Sequence, residues 1–198
     1  MENKHTIGDL YQMQSLPLDA KVRMTMARIE GWIREFGEDG VYISFSGGKD
    51  STVLLDIVRN VCGYTNIPAV FVDVPTQYPE LKQFATSFDN VEILKPKYSF
   101  MDICERYGFP LISKEISETI HEAKRSISKG QTDTYRIRQL NGETSFEKSK
   151  WKFMLDAPFE ISHLCCNTLK KNPIKSFEKH TSRVGTQRDH ELIRPDGD

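Results

Sequence analysis

The feature that most constrains this chain is a short polar block between two segments of different character. Residues 41–45 are β-branched and aromatic, which predicts a strand. Residues 52–61 predict a helix that Gly63 closes. The six residues between them are Ser46-Gly47-Gly48-Lys49-Asp50-Ser51. A glycine-rich turn that joins a strand directly to a helix favours anions, so the block predicts a phosphate site.

The residue types of the block suit a polyphosphate. The two glycines lack a Cβ atom, so the backbone can adopt positive φ and approach a ligand closely. Successive N–H groups then point into one concavity, and the N-terminus of the next helix adds its own. Lys49 neutralises phosphate charge, the two serines offer hydroxyl donors, and Asp50 either caps the helix or helps to hold magnesium. The spacing fits neither the Walker loop nor the dinucleotide fingerprint, and the alternative is a tight turn with incidental polar residues.

Strands and helices alternate along the rest of the chain. The predicted helices are residues 21–36, 79–88, 99–107 and 114–128, and the further predicted strands are 67–74, 91–94 and Leu111-Ile112. The run Ala69-Val70-Phe71-Val72 is continuously apolar, which is typical of a strand buried on both faces of a parallel sheet. The short connections favour right-handed βαβ crossovers. The sequence therefore predicts an α/β fold with a Rossmann-like, doubly wound parallel sheet in three layers.

The chain divides into three predicted parts. These are an N-terminal lead-in over residues 1–20, a domain over 21–180 that carries the glycine block, and a polar, truncated tail over 181–198. Inside the domain, residues 131–150 are polar and weakly periodic and predict an excursion or a mobile loop. Residues 169–180 predict a basic helix interrupted at Pro173.

Composition excludes several classes of protein. Hydrophobic residues make up 38% and charged residues 28% of the 198 residues, as in ordinary soluble domains. The formal net charge of -1 provides no global basic field for nucleic acid. No apolar run approaches the roughly 18–20 residues that a membrane span requires. Because residues 1–9 also lack the apolar core of a secretory signal, we expect a cytoplasmic protein with no membrane partner.

Two further polar residues follow predicted strands. Asp73 stands at the carboxyl end of the second strand, where ligands bind in open α/β sheets. A role at magnesium or at the nucleotide is one interpretation, and a turn or helix-cap aspartate is the other. Lys114 follows another predicted strand end and is a candidate for contact with the nucleotide or its acceptor. The alternative for Lys114 is a solvated lysine at the start of a helix.

The four cysteines do not form a disulfide framework in a chain of this length. Cys62 and Cys104 lie in apolar helical contexts and are interpreted as core thiols. Cys165 and Cys166 are adjacent and cannot easily form a disulfide with each other. They are candidate iron–sulfur ligands, although a cluster requires about four cysteines, and a zinc site with neighbouring histidines fits no standard spacing. The remaining interpretation is two thiols beside a basic segment.

The glycine block resembles the pyrophosphate loop of the adenine-nucleotide alpha-hydrolases, a superfamily that includes the N-type ATP pyrophosphatases. Val72-Asp73 with Tyr78-Pro79-Glu80 is similar to the second strand of these proteins and the turn after it. Residues 108–115 and Cys165-Cys166 are similar to a bacterial and phage branch, the phosphoadenylyl-sulfate (PAPS) reductase family. The resemblance covers about residues 25–180, and the loop is its most specific part.

The resemblance implies a nucleotide and a reaction type. The chain is expected to bind ATP or a sulfonucleotide with its phosphates on residues 46–51, and ATP would bring Mg²⁺ with it. Lys49, Asp50 and Asp73 are the implied catalytic residues. The implied reaction is either sulfonucleotide reduction or adenylyl transfer with pyrophosphate release. The intact loop suits a pyrophosphate group better than a sulfate, so loop chemistry and family name favour different substrates.

The resemblance also bears on cofactors and partners. Relatives with an iron–sulfur cluster use a Cys-Cys pair and a later Cys-x-x-Cys, and this sequence has no cysteine after Cys166. A cluster would therefore be incomplete within this chain. The expected partners are a small-molecule nucleotide, a thioredoxin-like reductant or nucleic acid, and a homo-oligomer is left open. The alternative function is a non-catalytic or nucleic-acid sulfur-modification component of a phage or mobile element that binds ATP.

Overall fold

The sheet of this protein is parallel throughout the part of the chain that the structure, a computed structural model, describes, which is residues 6–186. Its strands are β1 (Val41–Phe45), β2 (Ala69–Val72), β3 (Val91–Leu94) and β4 (Val184–Gly185). They are arranged in the order β3-β2-β1-β4, and every neighbouring pair is parallel. With helices between the strands, this order confirms the predicted α/β, Rossmann-like class.

Eight α-helices lie within residues 6–186. They are α1 (Ile7–Ser15), α2 (Leu18–Phe36), α3 (Lys49–Asp56), α4 (Pro79–Thr86), α5 (Phe100–Tyr107), α6 (Lys114–Ser128), α7 (Tyr135–Asn141) and α8 (Asn172–Thr181). A 3₁₀-helical segment covers Ser149–Asp156, and π-helical segments cover Ile57–Val61 and Asn167–Lys171. None of these described helices combines the length and the apolar character that a bilayer crossing requires.

The chain forms two compact units. The first contains the described residues up to Asp73, then Gln77–Leu94, and the described residues from Ser176 onward. It therefore holds the sheet together with α1 to α4. The second contains Val74–Thr76 and Lys95–Lys175, and so holds α5, α6 and α7.

The core of the first unit forms around β1 and β2. Every residue of β2 is buried, as its continuous apolar run predicts for an inner strand of a parallel sheet. Helix α2 adds Ile29, Trp32 and Ile33, whose spacing of three and one places them on one face of the helix. Burial of such side chains stabilises the fold by about 1.5–3 kcal/mol each.

The core of the second unit lies between α6 and α7. Ile116, Ile120 and Ala123 share one face of α6 and pack in one cluster with Ile137 and Leu140 of α7. A predicted helix at residues 114–128 is thereby confirmed. The second unit thus has an apolar cluster of its own.

Two sequence-based assignments are wrong. Leu111-Ile112 is not a strand, because Ile112 has a φ of 64°, in the left-handed region that strands do not use. The buried hydroxyl of Ser117 fixes this turn: it accepts from the N–H of Leu111 (2.9 Å) and donates to its carbonyl (2.8 Å). Residues 131–150 are not a mobile excursion, since they contain α7 and the start of the 3₁₀ segment.

The two ends of the described chain also carry regular structure. The predicted lead-in over residues 1–20 contains α1, which begins at a capping box between Thr6 and Asp9. The predicted tail over 181–198 supplies β4, and the Thr186 hydroxyl accepts the N–H of Ser44 (3.1 Å). Residues 1–5 and 187–198 lie outside the described residues.

Candidate functional site

Residues 46–51 follow β1, the strand at which the winding of the sheet reverses. From β1, the sheet continues through β2 and β3 on one side and through β4 on the other. In open α/β sheets, ligands bind outside the carboxyl ends of the strands at such a reversal point. The glycine block therefore lies at the position where this fold accommodates a ligand.

The two serines of the block close the loop on itself. The N–H of Ser46 donates to Oγ of Ser51 (3.2 Å), and their hydroxyl oxygens are 3.1 Å apart. The Ser51 hydroxyl also donates to the carbonyl of Gly48 (2.9 Å). The N–H of Gly48 in turn donates to Oγ of Ser46 (3.4 Å). These bonds tie the end of β1 to the first turn of α3, so both serines order the loop.

Gly47 adopts a backbone conformation that side chains disfavour. Its φ is 72°, in the left-handed region. A Cβ atom there would lie 3.5 Å from the side chain and from the carbonyl oxygen of Leu81, which is ordinary contact. Conformation rather than space is therefore the reason for glycine at this position.

The first turn of α3 has backbone N–H groups that no carbonyl of the helix accepts. The helix begins at Lys49, and the N–H of Thr52 bonds to the carbonyl of Gly48 (3.0 Å). The N–H groups of Lys49, Asp50 and Ser51 precede this bond and have no carbonyl within the helix to pair with. The side chains of Lys49 and Asp50 are exposed. Free donors, a positive helix end and a lysine together form an environment that favours an anion.

Asp73 directly follows β2, at the same edge of the sheet as the loop. Its N–H donates to the carbonyl of Leu94 (2.8 Å), which fixes its backbone against the end of β3. Its carboxylate accepts from Nζ of Lys82 on α4 (2.6 Å), and the Asp73 side chain is 21% exposed. The structure thus brings Asp73 and residues 46–51 to one edge of the first unit, with Asp73 paired to a lysine that the sequence did not single out.

Lys114 and the cysteine pair belong to the second unit. Lys114 is the first residue of α6, and Cys165 and Cys166 are half-buried just before a π-helical segment. Burial raises the pKa of the Cys165 thiol, and the Lys114 ammonium acts in the opposite direction. Lys114 and Cys165 are therefore within electrostatic reach of each other.

Cys104 is also within electrostatic reach of Cys165, which the sequence did not predict. It is buried on α5, in agreement with its interpretation as a core thiol. Burial raises its pKa, and a charged Cys165 raises it further. The periodicity that marks Cys104 as inward-facing carries no information about which charges act on its thiol, so only the tertiary structure identifies the influence of Cys165.

The sequence suggested two metal sites, an iron–sulfur cluster and a magnesium ion, and the described residues fit them to different degrees. Within residues 6–186, no group of three or more His, Cys, Asp or Glu side chains is arranged to hold a metal ion. These residues do not fit an iron–sulfur cluster with Cys165 and Cys166 as ligands, because the remaining ligands are missing from that part of the chain. Magnesium has a smaller requirement, since it takes one or two carboxylates and completes its shell with substrate phosphates and water. Asp50 and Asp73 at one sheet edge suit that requirement.

The parallel sheet, with the glycine loop at its reversal point, defines a Rossmann-like α/β protein. A sequence model of the phosphoadenosine phosphosulfate reductase domain matches residues 40–191. The chain belongs to this family, which lies within the adenine-nucleotide alpha-hydrolase (PP-loop) superfamily. The match confirms the resemblance drawn from the loop. Searches of curated proteins and of solved structures found no match.

Proposed function

We propose that this protein binds an adenine nucleotide with its phosphates on residues 46–51. The observation that carries the proposal is the start of α3, where the N–H groups of three residues precede the first helical hydrogen bond. Just before them in the chain, Gly47 has a φ of 72°. Such amides satisfy phosphate oxygens without rearrangement. Family membership supports a nucleotide-related activity.

Three charged side chains have distinct roles in this proposal. Lys49, exposed at the first residue of α3, neutralises the charge on the outer phosphates. Asp50 and Asp73 are the residues that would hold the magnesium ion of ATP–Mg²⁺, and the ion would supply positive charge to offset that of the pyrophosphate. Nζ of Lys82 lies 2.6 Å from the Asp73 carboxylate, so Lys82 would have to move away for Asp73 to hold the ion.

Of the two reactions open to the family, adenylyl transfer with pyrophosphate release agrees better with this chain. The intact loop at residues 46–51 suits the β- and γ-phosphates of ATP, which a sulfonucleotide does not have. Sulfonucleotide reduction by a thiolate would require an easily ionised cysteine, and burial raises the pKa of Cys165. The acceptor of the adenylyl group is left to experiment.

Melting temperature measures nucleotide binding directly. At about 100 times its Kd, ATP with Mg²⁺ contributes about 2.7 kcal/mol, a rise of roughly 5–10 °C for a chain of this length. Lys49→Ala and Asp50→Ala should each remove most of the rise. Lys179→Ala, which removes an exposed lysine elsewhere in the first unit, should retain it. If neither ATP nor phosphoadenylyl sulfate moves the melting curve, the proposal is wrong.

Product analysis separates the reactions. Pyrophosphate release from ATP, measured with and without sulfate or nucleic acid, indicates adenylyl transfer. Sulfite release from phosphoadenylyl sulfate with thioredoxin indicates reduction. Bound ATP without turnover in any of these assays would instead indicate a non-catalytic component, the alternative function.

A further inference from the structure

A groove on the second unit lies where the end of α6 meets the start of α7. Its volume is about 580 Å³. The end of α6 contributes Arg125, in the last turn of the helix, and Lys129, its C-cap residue. The α7 side contributes Thr134, Tyr135 and Arg136. All of these residues lie outside the loop at residues 46–51 and within the second unit.

The cations of this groove are only partly neutralised. Arg136 is held by two carboxylates, with its Nε donating to Glu122 (2.7 Å) and its Nη2 to Glu118 (3.2 Å). These bonds fix the guanidinium at the wall of the groove. Within residues 6–186, no ion pair involves Arg125 or Lys129. Two cations are thus available to an anion beside an arginine that is already oriented.

Thr134 supplies an observation that is independent of charge. It is the N-cap residue of α7 with extended backbone, yet its hydroxyl does not cap the helix. Its Oγ1 is buried and has no hydrogen-bond partner among the described residues. A buried hydroxyl without a partner costs free energy, and rotation about its Cα–Cβ bond would bring it to an acceptor on a ligand in the groove, which would relieve that cost.

We infer that this groove binds a phosphate group. Arg125 and Lys129 neutralise the phosphate, and the Thr134 hydroxyl donates to one of its oxygens. Tyr135, half-exposed at the groove, provides an aromatic face for a base or sugar attached to that phosphate. The phosphate belongs either to a free phosphoester or to the backbone of a nucleic acid, which share this chemistry.

Residue-resolved NMR tests the site with inorganic phosphate as the probe. Phosphate should be exchanged for chloride at constant ionic strength, so that screening does not change. The amide signals of Gln131, Thr134 and Tyr135 should shift and saturate. Shifts confined to Gly47 and Gly48 would overturn this inference while supporting the nucleotide loop. An absence of saturable shifts in the groove would overturn it as well.

Three variants separate a ligand contact from a structural role. Arg125→Ala and Thr134→Val should each weaken phosphate binding roughly tenfold, as expected for one charge-assisted hydrogen bond. Without phosphate, Thr134→Val should be at least as stable as the parent, because it removes an unpartnered buried hydroxyl. Lys152→Ala, which removes an exposed lysine outside the groove, should bind phosphate as the parent does. Equal binding by all three variants would contradict the inference.

Two nucleotide ligands identify the source of the phosphate. Thymidine 5′-monophosphate and a twelve-residue thymidylate should compete with inorganic phosphate for the same amide signals. Tighter binding of the oligonucleotide, with an affinity that falls steeply as salt rises, assigns the groove to a nucleic-acid backbone. Equal affinity per phosphate assigns it to a free phosphoester. If neither ligand displaces phosphate, the assignment of the groove is wrong.

Discussion

Burial and a neighbouring lysine act in opposite directions on the thiol of Cys165. Burial is the larger influence and raises the pKa, and a charged Cys166 beside it raises the pKa further. Backbone hydrogen bonds at Cys166 and Cys165 lower the pKa, and the Lys114 ammonium lowers it by a smaller amount. Because the thiolate is the reactive form, Cys165 reacts slowly at neutral pH, and the Lys114 ammonium offsets part of this effect.

Replacement of Lys114 by methionine should therefore slow the alkylation of Cys165. Loss of the positive charge raises the pKa further, and the rate at pH 8 should fall roughly twofold to fivefold, the range of one partly screened charge interaction. The rate with iodoacetamide is followed across pH in a Cys166→Ser background, so that one thiol of the pair reacts. Lys152→Met serves as the charge control. A pH profile that Lys114→Met leaves unchanged would show that the two groups do not interact.

At the scale of elements, the two-residue strand β4 depends on a glycine. A Cβ atom on Gly185 would lie 2.3 Å from the hydroxyl oxygen of Tyr42, its partner in the sheet. Tyr42 has little freedom to move away, because its ring packs edge-on against Phe177 at 5.2 Å and its hydroxyl donates to Glu178 (3.0 Å). The close approach of β4 to β1 therefore requires glycine.

Gly185→Ala should destabilise the first unit by about 1–3 kcal/mol, the usual cost of an overpacked core. The matched control is Gly31→Ala in α2, where a Cβ atom would meet nothing within 4 Å. Removing that helical glycine should stabilise the protein by about 0.5–1 kcal/mol. Urea unfolding at constant pH measures both changes. Equal effects of the two substitutions would mean that β4 does not pack on Tyr42 in solution.

The elements that the sequence predicted correctly are those with a repeated signal. β2 is an unbroken apolar run, and β1 and β3 are runs of four or five residues that are apolar except for Ser44 and Glu92. α2 and α6 repeat their apolar residues at helical spacing. β4 has two residues and so no periodicity to detect. Ile112 was misassigned because a β-branched residue favours strands, whereas tertiary bonds through Ser117 hold this turn.

The candidate site divides in the same way. The loop at residues 46–51 and the place of Asp73 after β2 were predictable, because both follow from where a strand ends. The pairing of Asp73 with Lys82 was not, since it depends on how α4 packs on the sheet. The electrostatic influence of Cys165 on Cys104 likewise depends on how distant segments are placed, which local sequence does not specify.

At the scale of the whole molecule, thiols with a raised pKa occur in both compact units. Burial raises the pKa of Cys62 in the first unit and of Cys104 and Cys165 in the second. The folded chain therefore holds these protons to higher pH than the unfolded chain. The resulting stability is present in full below the unfolded thiol pKa, about 8.5, and is lost as the pH rises through the folded pKa values.

The free energy of unfolding should accordingly decrease as the pH rises above about 8.5, the usual pKa of a free thiol. Chemical denaturation at a series of pH values measures this slope. Cys62→Ser and Cys104→Ala should each make the slope shallower, because each removes one group whose proton is released on unfolding. The slope belongs to other groups if both variants leave it unchanged.

Calorimetric titration of ATP–Mg²⁺ and of adenosine tests the central claim, that residues 46–51 hold the phosphates. The parent protein should bind ATP–Mg²⁺ about a hundredfold more tightly than adenosine, the equivalent of two charge-assisted hydrogen bonds. Gly47→Val, which disfavours the φ of 72° that the loop requires, should remove most of that difference. Equal affinities of the parent for the two ligands, or a difference that Gly47→Val leaves intact, would contradict the account.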